Sequence, residues 1–269
     1  MKFIIPTINS SLYILILKKY LDYFKADYVF FVDEKTTDNT YEILKENSSQ
    51  DNIFKYKNDD FFLENNLKEI YKNFQNQFIF RLDCDEIPSP SLINNLKNLN
   101  SKEKIYGFPR YEVFKYREEF LISGPLNNFE KLGYRFNRQF FPGKRKKTFF
   151  ENFSERRSFQ YRYYYNFNLK FEETLHSPGI AFDRKKQSIR VKKKFGFLVH
   201  FNSILKTINE RIEKLRTYDR IYRGGGYYNR FSYVPEFYVR KNFKYLNYFK
   251  KPPIFVKNYI NSLSFNTKS

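Results

Sequence analysis

The 269-residue chain contains no tryptophan, a single cysteine and only two histidines. Because Cys84 has no cysteine to pair with, the disulfide scaffolds of small extracellular proteins are excluded. The longest apolar run, Leu12 to Leu17, is far shorter than the ~20 residues that cross a bilayer, so we expect neither a membrane span nor a signal peptide. An aromatic content of 21% excludes a disordered chain. We therefore expect a globular, cytoplasmic protein.

The chain also has little negative charge relative to its positive charge. Lysine and arginine number 49 against 29 acidic residues, which gives a formal net charge of +20. Such a field attracts phosphates, acidic glycans and anionic lipid surfaces. However, the abundant Lys, Asn, Ile, Phe and Tyr residues share A/T-rich codons, so genome composition can produce both the basic and the aromatic character. Composition therefore widens the class of partner without choosing one.

Strand-like and helix-like segments alternate through roughly the first hundred residues. Short apolar runs predict the strands, and apolar residues at helical spacing behind polar capping residues predict the helices. The predicted strands are Lys2 to Ile5, Tyr28 to Val32 and Phe78 to Leu82, and the predicted helices are Ser11 to Phe24, Tyr41 onward, Leu63 to Phe74 and Pro90 onward. This order predicts an α/β fold with a mostly parallel sheet covered by helices, which binds ligands at the carboxyl ends of its strands.

The second half of the chain is less regular. Short aromatic strands and Gly-Pro or Pro-Gly turns between Ile105 and Phe201 predict an antiparallel extension of the sheet. An apolar stripe from Ile204 to Tyr222 predicts one long helix that ends at Gly224. The expected organisation is an α/β half at 1–104, a second half of the same domain at 105–226, and an irregular basic and aromatic extension at 227–269.

An acidic cluster follows the third predicted strand. Asp83, Asp85 and Glu86 repel one another unless a cation lies among them. Their hard oxygens favour Mg²⁺ or Mn²⁺, which complete their shells with water and nucleotide phosphates. In an extended backbone Asp83 and Asp85 point the same way, so both could serve one metal-diphosphate site. The alternative is a solvated acidic turn that caps the helix starting near Ser89.

A second acidic residue, Asp33, also ends a buried strand and precedes a polar loop. Two acidic strand ends of a parallel sheet face one crevice. The segment from Phe30 to Thr40, Phe-Phe-Val-Asp-Glu-Lys-Thr-Thr-Asp-Asn-Thr, and the segment Arg81 to Glu86, Arg-Leu-Asp-Cys-Asp-Glu, resemble the family 2 type of glycosyltransferase with the GT-A fold, in its Asp-x-Asp-Glu subgroup. The sequence departs from that family where Glu34-Lys35-Thr36 replaces a small, often glycine-containing loop.

The resemblance implies a metal-dependent transfer of a sugar, expected to invert, from a nucleotide-sugar donor to a hydroxyl of a glycan or lipid-linked acceptor. It implies that Asp33 binds the base or ribose and that Asp83 contacts the ribose or sugar. Asp85 would hold the Mn²⁺ or Mg²⁺ ion that bridges the diphosphate and stabilises the leaving group. The residues implied for the donor site are Pro6, Thr7, Asp33, Arg81 and Asp83.

An inverting transfer also needs a general base near the acceptor hydroxyl. Glu172 and Glu173, in Phe-Glu-Glu-Thr-Leu-His, are the candidates by a loose similarity to an acidic stretch of the same family, and a solvated strand edge is the alternative. His200 is a candidate metal ligand beside Asp83 and Asp85, or a diphosphate contact. Its alternative is a hydrogen-bonded histidine at a strand end.

Three hypotheses follow for the whole protein. The first is a glycosyltransferase that builds a surface polysaccharide, a lipopolysaccharide core or a glycoprotein glycan, with no nucleic-acid partner. The second is a nucleic-acid-binding protein, in which aromatic and basic side chains stack bases and hold phosphates. A groove for a polyanion should avoid the acids at Asp83 to Glu86, whereas a metal-nucleotide site requires them. The third is a silent relative that only binds a glycan. Peripheral contact of the basic C-terminal extension with an anionic membrane is a further hypothesis.

Overall fold

The structure is a computed structural model that describes residues 1–57, 70–116, 119–123, 159–166, 187–207, 209, 210, 213 and 251–266. The strands are β1 Lys2–Thr7, β2 Tyr28–Asp33, β3 Ile53–Tyr56, β4 Phe78–Arg81, β5 Glu86–Pro88, β6 Ile105–Tyr116, β7 Glu119–Ser123, β8 Phe159–Tyr165, β9 Ser188–Arg190 and β10 Leu198–His200. The helices are α1 Ile14–Tyr23, α2 Thr40–Asn47, α3 Pro90–Asn95, α4 Asn202–Leu205 and α5 Ile254–Asn266. Short 3₁₀ turns lie at Gln50–Asn52 and Leu96–Asn98.

The sheet has the strand order β3-β2-β1-β4-β8-β6-β10-β5, and β7 and β9 both pair with β6. β1 pairs in parallel with β2 and with β4, and β2 pairs in parallel with β3. β8 adds to β4 in the antiparallel direction. The predicted α/β fold, with a mostly parallel sheet and an antiparallel extension, is confirmed. The carboxyl ends of β1, β2 and β4 therefore lie side by side at one edge.

β1, β2 and β4 are mostly apolar because both of their faces are buried. All six residues of β2 are buried. One core cluster joins the strands with the segment that precedes β4, and it contains Ile4, Val29, Phe31, Ile70, Tyr71, Phe74, Ile79, Ile105 and Tyr164. This continuous packing holds the strand ends at fixed positions.

The described chain divides into two compact units. The first contains Met1–Phe108, Gln160–Val199 and Pro253–Ser269, and the second contains Pro109–Phe159 and His200–Pro252. The parallel strands belong to the first unit. In the second unit, β7 pairs antiparallel with the later part of β6, from Glu112 opposite Ser123 to Tyr116 opposite Glu119.

The long helix predicted from Ile204 to Tyr222 is wrong at its start. α4 ends at Leu205, and Lys206 has an extended backbone with φ −115° and ψ 137°. Thr207 and Glu210 then form a capping box: the Thr207 N–H donates to the Glu210 carboxylate (2.6 Å), and the Glu210 N–H donates to Thr207 Oγ1 (3.3 Å). This local capping outweighs the continuous apolar stripe. Most of the predicted helix lies outside the described residues.

The last described segment is α5, in a region that the sequence indicated as irregular. The Pro253 carbonyl accepts the N–H groups of Val256 and Lys257, so the proline opens the first turn of the helix. Tyr259 packs edge-on against Tyr20 of α1, with ring centroids 6.0 Å apart. α5 therefore belongs to the first unit. Among the helices of the described residues, none has the length and apolar composition that a membrane crossing requires.

Candidate active site

The acidic cluster forms a tight turn between β4 and β5. The Glu86 N–H donates to the Asp83 carbonyl (2.9 Å), so the expectation that an extended backbone aligns Asp83 with Asp85 is wrong. The alternative of a solvated turn is also wrong, since Glu86 is fully buried and Asp85 is 7% exposed. The helix cap is Ser89, whose Oγ accepts the Leu92 N–H (3.3 Å).

Two arginines hold the Asp83 carboxylate. Arg162, on β8, makes a forked contact: Nη2 to Oδ2 is 2.6 Å and Nη1 to Oδ1 is 3.3 Å. Arg81, at the end of β4, reaches Oδ1 through Nε at 3.2 Å. Arg162 Nη2 also lies 3.4 Å from Glu86 Oε1. We call Arg81, Asp83, Glu86 and Arg162 the Asp83 cluster.

The sheet explains how residues 79 apart in sequence meet in the Asp83 cluster. β8 runs antiparallel to β4, which brings Arg162 to the carboxyl end of β4. The side chains of Arg81 and Arg162 are each 6% exposed, whereas that of Asp83 is 27% exposed. Burial alone would raise the pKa of Asp83, but the charges of Arg162 and Arg81 outweigh it and hold this pKa well below its usual range. Asp83 is therefore a partly exposed anion on a buried cationic support.

Asp85 lies in a different environment from Asp83. Burial raises the pKa of Tyr13, and the nearby charges of Cys84 and Asp85 raise it further. The pKa of Tyr259 on α5 is raised by the same causes in the same order. Asp85 therefore lies near two buried phenols that remain neutral donors at physiological pH.

Asp33 ends β2 as predicted and is 2% exposed. Its Oδ1 accepts the Lys35 N–H (2.9 Å), and its Oδ2 accepts the Tyr56 hydroxyl (3.3 Å). The pKa of Tyr56 is raised by burial and then by Asp33; Cys84 raises it as well, and Arg81 lowers it. The Tyr56 hydroxyl therefore holds the Asp33 carboxylate from the neighbouring strand β3.

Pro6 and Thr7 occupy the last positions of β1, next to the end of β2. Pro6 is in register with Phe31, and Thr7 with Val32. The Thr7 side chain is 2% exposed, and its hydroxyl donates to the Ile5 carbonyl at 3.1 Å. Both residues therefore lie at the predicted edge of the sheet.

The side chains of Asp38 and Thr40 connect the loop after β1 to the loop after β2. Ser11 N–H donates to Asp38 Oδ2 (2.9 Å), and Ser10 N–H donates to Thr40 Oγ1 (2.7 Å). The Thr40 N–H and hydroxyl both bond to Asp38 Oδ1. Asn39 is the capping residue by position, and its side chain makes no capping bond. Asp38 and Thr40 therefore hold the loop after β1 against the loop after β2.

Cys84 connects the same loop to the acidic turn. Its sulfur lies 3.2 Å from Ser10 Oγ, and Ser10 Oγ is 3.1 Å from the Tyr13 hydroxyl. The ends of β1, β2 and β4 are thus joined by hydrogen bonds through side chains of all three loops.

The second unit contains its own buried ionic group, Arg110, Glu112 and His200, which we call the Glu112 cluster. His200 Nδ1 lies 2.6 Å from Glu112 Oε2, and Arg110 Nη2 lies 3.2 Å from Glu112 Oε1. Because a carboxylate accepts, His200 Nδ1 carries the hydrogen, and in the neutral ring Nε2 is the acceptor. The carboxylate therefore fixes the orientation and tautomer of His200.

The predicted metal ligands Asp83, Asp85 and His200 stay a prediction. Within the part of the chain that the structure describes, no three His, Cys, Asp or Glu side chains form a group that could hold a metal ion. The predicted bases Glu172 and Glu173 lie outside the described residues.

Sequence reasoning missed Arg162, Glu112 and Tyr56. Arg162 and Tyr56 occur in strands rich in aromatic and basic residues, where one polar side chain carries no local signal. The only available hint was the excess of three carboxylates over one neighbouring arginine at Arg81 to Glu86. Such a cluster needs distant cations, but the sequence does not indicate which ones.

Residues 2–186 match the family described as glycosyl transferase family 2. A search of curated proteins finds no significant match. Among solved structures, S. aureus TarS 1–349 is 18% identical, with 43% of this chain and 36% of that chain covered and a TM-score of 0.32.

The same TarS fragment in complex with UDP-GlcNAc gives 18% identity, coverages of 42% and 34%, and a TM-score of 0.32. The inositol-1-phosphate CTP transferase from T. maritima gives 14% identity, coverages of 47% and 60%, and a TM-score of 0.29. The chain thus spans about a third of the TarS fragment. The family assignment rests on the sequence match, which covers more than half of the chain and confirms the resemblance read from its two motifs: the chain belongs to glycosyl transferase family 2.

Proposed function

We propose that the protein transfers a sugar from a nucleotide-sugar donor to an acceptor hydroxyl. The observation that carries this proposal is the meeting of Asp33, Thr7 and the Asp83–Glu86 turn at the carboxyl ends of three adjacent strands. Ligands of open α/β sheets bind at this edge. Family membership supports the same activity.

The buried groups at this edge suit a nucleotide. Asp33 is held by the Lys35 N–H and the Tyr56 hydroxyl, so its carboxylate is preorganised to accept hydrogen bonds from a base or ribose. Pro6 and Thr7 form the neighbouring wall of the proposed donor site. Arg81 contributes through its contact with Asp83.

A divalent ion fits Asp85 better than Asp83. Both oxygens of Asp83 already contact guanidinium groups, which repel a further cation. Mg²⁺ commonly uses only one or two protein carboxylates and takes its other ligands from phosphates and water. When bound, such an ion would stabilise the negative charge of the nucleoside diphosphate leaving group. In this proposal Asp85 holds it, and His200, oriented by Glu112, is retained as a further candidate ligand or diphosphate contact.

For the acceptor, we propose an inverting transfer to a hydroxyl of a glycan or a lipid-linked acceptor. Glu172 or Glu173 removes the hydroxyl proton. Substitution of each by Gln should lower kcat by about 10²-fold or more for the true base, because general base catalysis contributes 10²–10⁴-fold. The other substitution serves as the matched control.

We also propose that the protein binds peripherally to an anionic membrane. The basic extension after Gly226 would supply this contact. Flotation with anionic vesicles, with the full chain as reference, should show reduced binding when the Lys and Arg residues of 227–251 are replaced by Gln. Equal flotation of both forms would remove the extension from the proposal.

The donor site is tested by thermal unfolding with UDP, GDP, CMP and dTDP, each with Mn²⁺ or EDTA. A ligand at 100 times its dissociation constant stabilises a protein by about 2.7 kcal/mol, so a shift of roughly 5–10 °C is expected for the correct nucleotide. The shift should depend on Mn²⁺ in the wild type and disappear in Asp85→Ala and Asp33→Ala. Glu34→Ala, which removes an exposed carboxylate beside Asp33, is the matched control and should keep the shift.

Single-stranded DNA and RNA belong in the same panel. If they raise the melting temperature while no nucleotide does, the protein binds nucleic acid and the transferase proposal is wrong. If a nucleotide binds but no donor is turned over with any glycan acceptor, the silent relative is favoured instead.

A further inference from the structure

The Asp83 cluster contains an arginine to which the two family motifs assign nothing. Arg162 is contributed by β8, well outside both motifs, yet it makes the shortest contact to the Asp83 carboxylate, 2.6 Å. Its side chain is 6% exposed, so most of its surface is already withdrawn from solvent.

We propose that Arg162 is a positioning residue: together with Arg81 it holds Asp83 so that this carboxylate accepts a hydrogen bond from a donor ribose hydroxyl and does not ligate the divalent ion. The inference rests on the proposed function and deepens its donor site.

The hydrogen-bonding capacity of the carboxylate supports this role. A carboxylate offers about four lone-pair positions. Arg162 Nη1 and Arg81 Nε both approach Oδ1, and Arg162 Nη2 approaches Oδ2. Among the residues that the structure describes, these contacts use three positions and leave one on Oδ2, enough for a single hydroxyl donor. Because Asp83 is 27% exposed, a ligand can reach it.

The charges in the cluster support the second half of the proposal. Two guanidinium groups within 3.3 Å of the Asp83 oxygens repel a divalent ion there but do not oppose a neutral hydroxyl. The contact from Arg162 to Glu86, at 3.4 Å, fixes the same guanidinium at a second point of the turn. Arg162 thereby sets both the position of Asp83 and the shape of the Asp83–Glu86 turn.

The fork geometry leads to a sharp test. A lysine keeps the positive charge but cannot make two parallel contacts to one carboxylate. Arg162→Lys should therefore disturb the alignment of Asp83 more than the charge balance of the cluster. Lys102→Met is the matched control, because Lys102 is an exposed cation beside β8 that lies over the Tyr165 ring.

The experiment measures dissociation constants, well below the melting temperature, for the nucleoside diphosphate that stabilises the wild type and for its 2′- and 3′-deoxy counterparts. The wild type should bind the ribonucleotide about tenfold more tightly than one of the deoxy forms, as expected for one hydroxyl bond to a charged group. This ratio should fall towards one in Asp83→Asn and in Arg162→Lys and stay unchanged in Lys102→Met. The Mn²⁺ concentration for half-saturation should change less than twofold in these variants and rise sharply in Asp85→Ala.

Each outcome decides the proposal. If Arg162→Lys has a lower melting temperature but keeps the wild-type ratio of dissociation constants between the deoxy form and the ribonucleotide, Arg162 has only a structural role. That result would overturn the proposal. A large rise of the Mn²⁺ requirement in Asp83→Asn makes Asp83 a metal ligand and also overturns it. Should Arg162→Lys not fold, Arg162→Gln, which leaves Asp83 in place but removes the charged fork, must likewise lose the ratio. If the wild type binds no nucleoside diphosphate, the proposed function itself fails; if it binds and only the ratio is unaffected, the function stands without this inference.

Discussion

The Asp83 cluster and the Glu112 cluster both combine arginine with buried glutamate, but they expose opposite partners. In the first unit two arginines, each 6% exposed, support a carboxylate that is 27% exposed. In the second unit the central carboxylate, Glu112, is 6% exposed and supports an imidazole that is 13% exposed. The Asp83 cluster therefore orients a partly exposed carboxylate, and the Glu112 cluster orients a partly exposed imidazole. In each cluster the buried side chains set the geometry of the more exposed one.

Removing the buried guanidinium of Arg162 from the Asp83 cluster should give the largest effect on stability. Arg162→Met leaves Asp83 and Glu86 with less positive charge in a buried setting, and we expect the free energy of unfolding to fall by about 3–5 kcal/mol. Urea unfolding monitored by circular dichroism measures it. The double variant Arg162→Met/Asp83→Asn should recover part of the loss, and a double variant no more stable than the single one would contradict this account of the cluster.

The corresponding change in the Glu112 cluster is Glu112→Gln. The amide keeps the shape but loses the charge that pairs with Arg110 and orients His200, so the free energy of unfolding should fall by about 2 kcal/mol. If His200 acts in the proposed transfer, kcat should fall more than KM changes. A variant as stable as the wild type would show that the cluster is not an energetic counterpart of the Asp83 cluster.

Asp38→Asn should have a smaller effect, because it breaks loop contacts outside both clusters. Burial opposes ionisation of Asp38, but hydrogen bonds from Thr40 and Ser11 lower its pKa. The folded pKa lies below the unfolded value, so the stabilisation is present above that value and is lost as pH falls through the folded pKa. We expect a loss of about 1 kcal/mol at pH 7 that shrinks below about pH 4. A loss independent of pH, measured by urea unfolding at both pH values, would contradict the assignment to the ionised carboxylate.

The smallest change is expected for Lys18→Met. Lys18 and Asp22 form a 2.7 Å pair one helical turn apart on α1, with Asp22 45% exposed. Exposed pairs of this type contribute about 0.3–0.5 kcal/mol. The variant therefore serves as an exposed reference for the two buried clusters. If its free energy of unfolding falls as much as that of Glu112→Gln, burial does not explain why the clusters stabilise the protein more than an exposed pair.

Local pattern was sufficient for β1, β2 and β4 and for the acidic residues at the ends of β2 and β4. β1, β2 and β4 occur where apolar runs predicted them, because a strand covered on both faces must be apolar along its length. The positions of Asp33 and of the Asp83–Glu86 turn followed from the ends of those strands. The conformation of the turn did not follow, since the apolar pattern of a strand does not specify the backbone hydrogen bond from Glu86 to Asp83.

Hydrogen bonds between residues distant in sequence could not be predicted from local pattern, because they form only after the loops meet in the fold. Asp38 and Thr40 belong to a polar loop in sequence, and only the tertiary structure shows that they accept hydrogen bonds from Ser11 and Ser10. The interruption after Leu205 was missed because a capping box competes locally with an apolar stripe that spans both segments.

The sequence by itself determined the alternation of elements, the mostly parallel character of the sheet, the family and the acidic residues at the strand ends, since each follows from short-range periodicity or from short motifs. The tertiary structure alone decided which charges compensate those acids. An ion pair between β4 and β8 depends on sheet register, which brings Arg162 to Asp83 across 79 residues of chain. It also decided that α5 packs beside α1, because that contact arises only when apolar faces from the two ends of the chain meet.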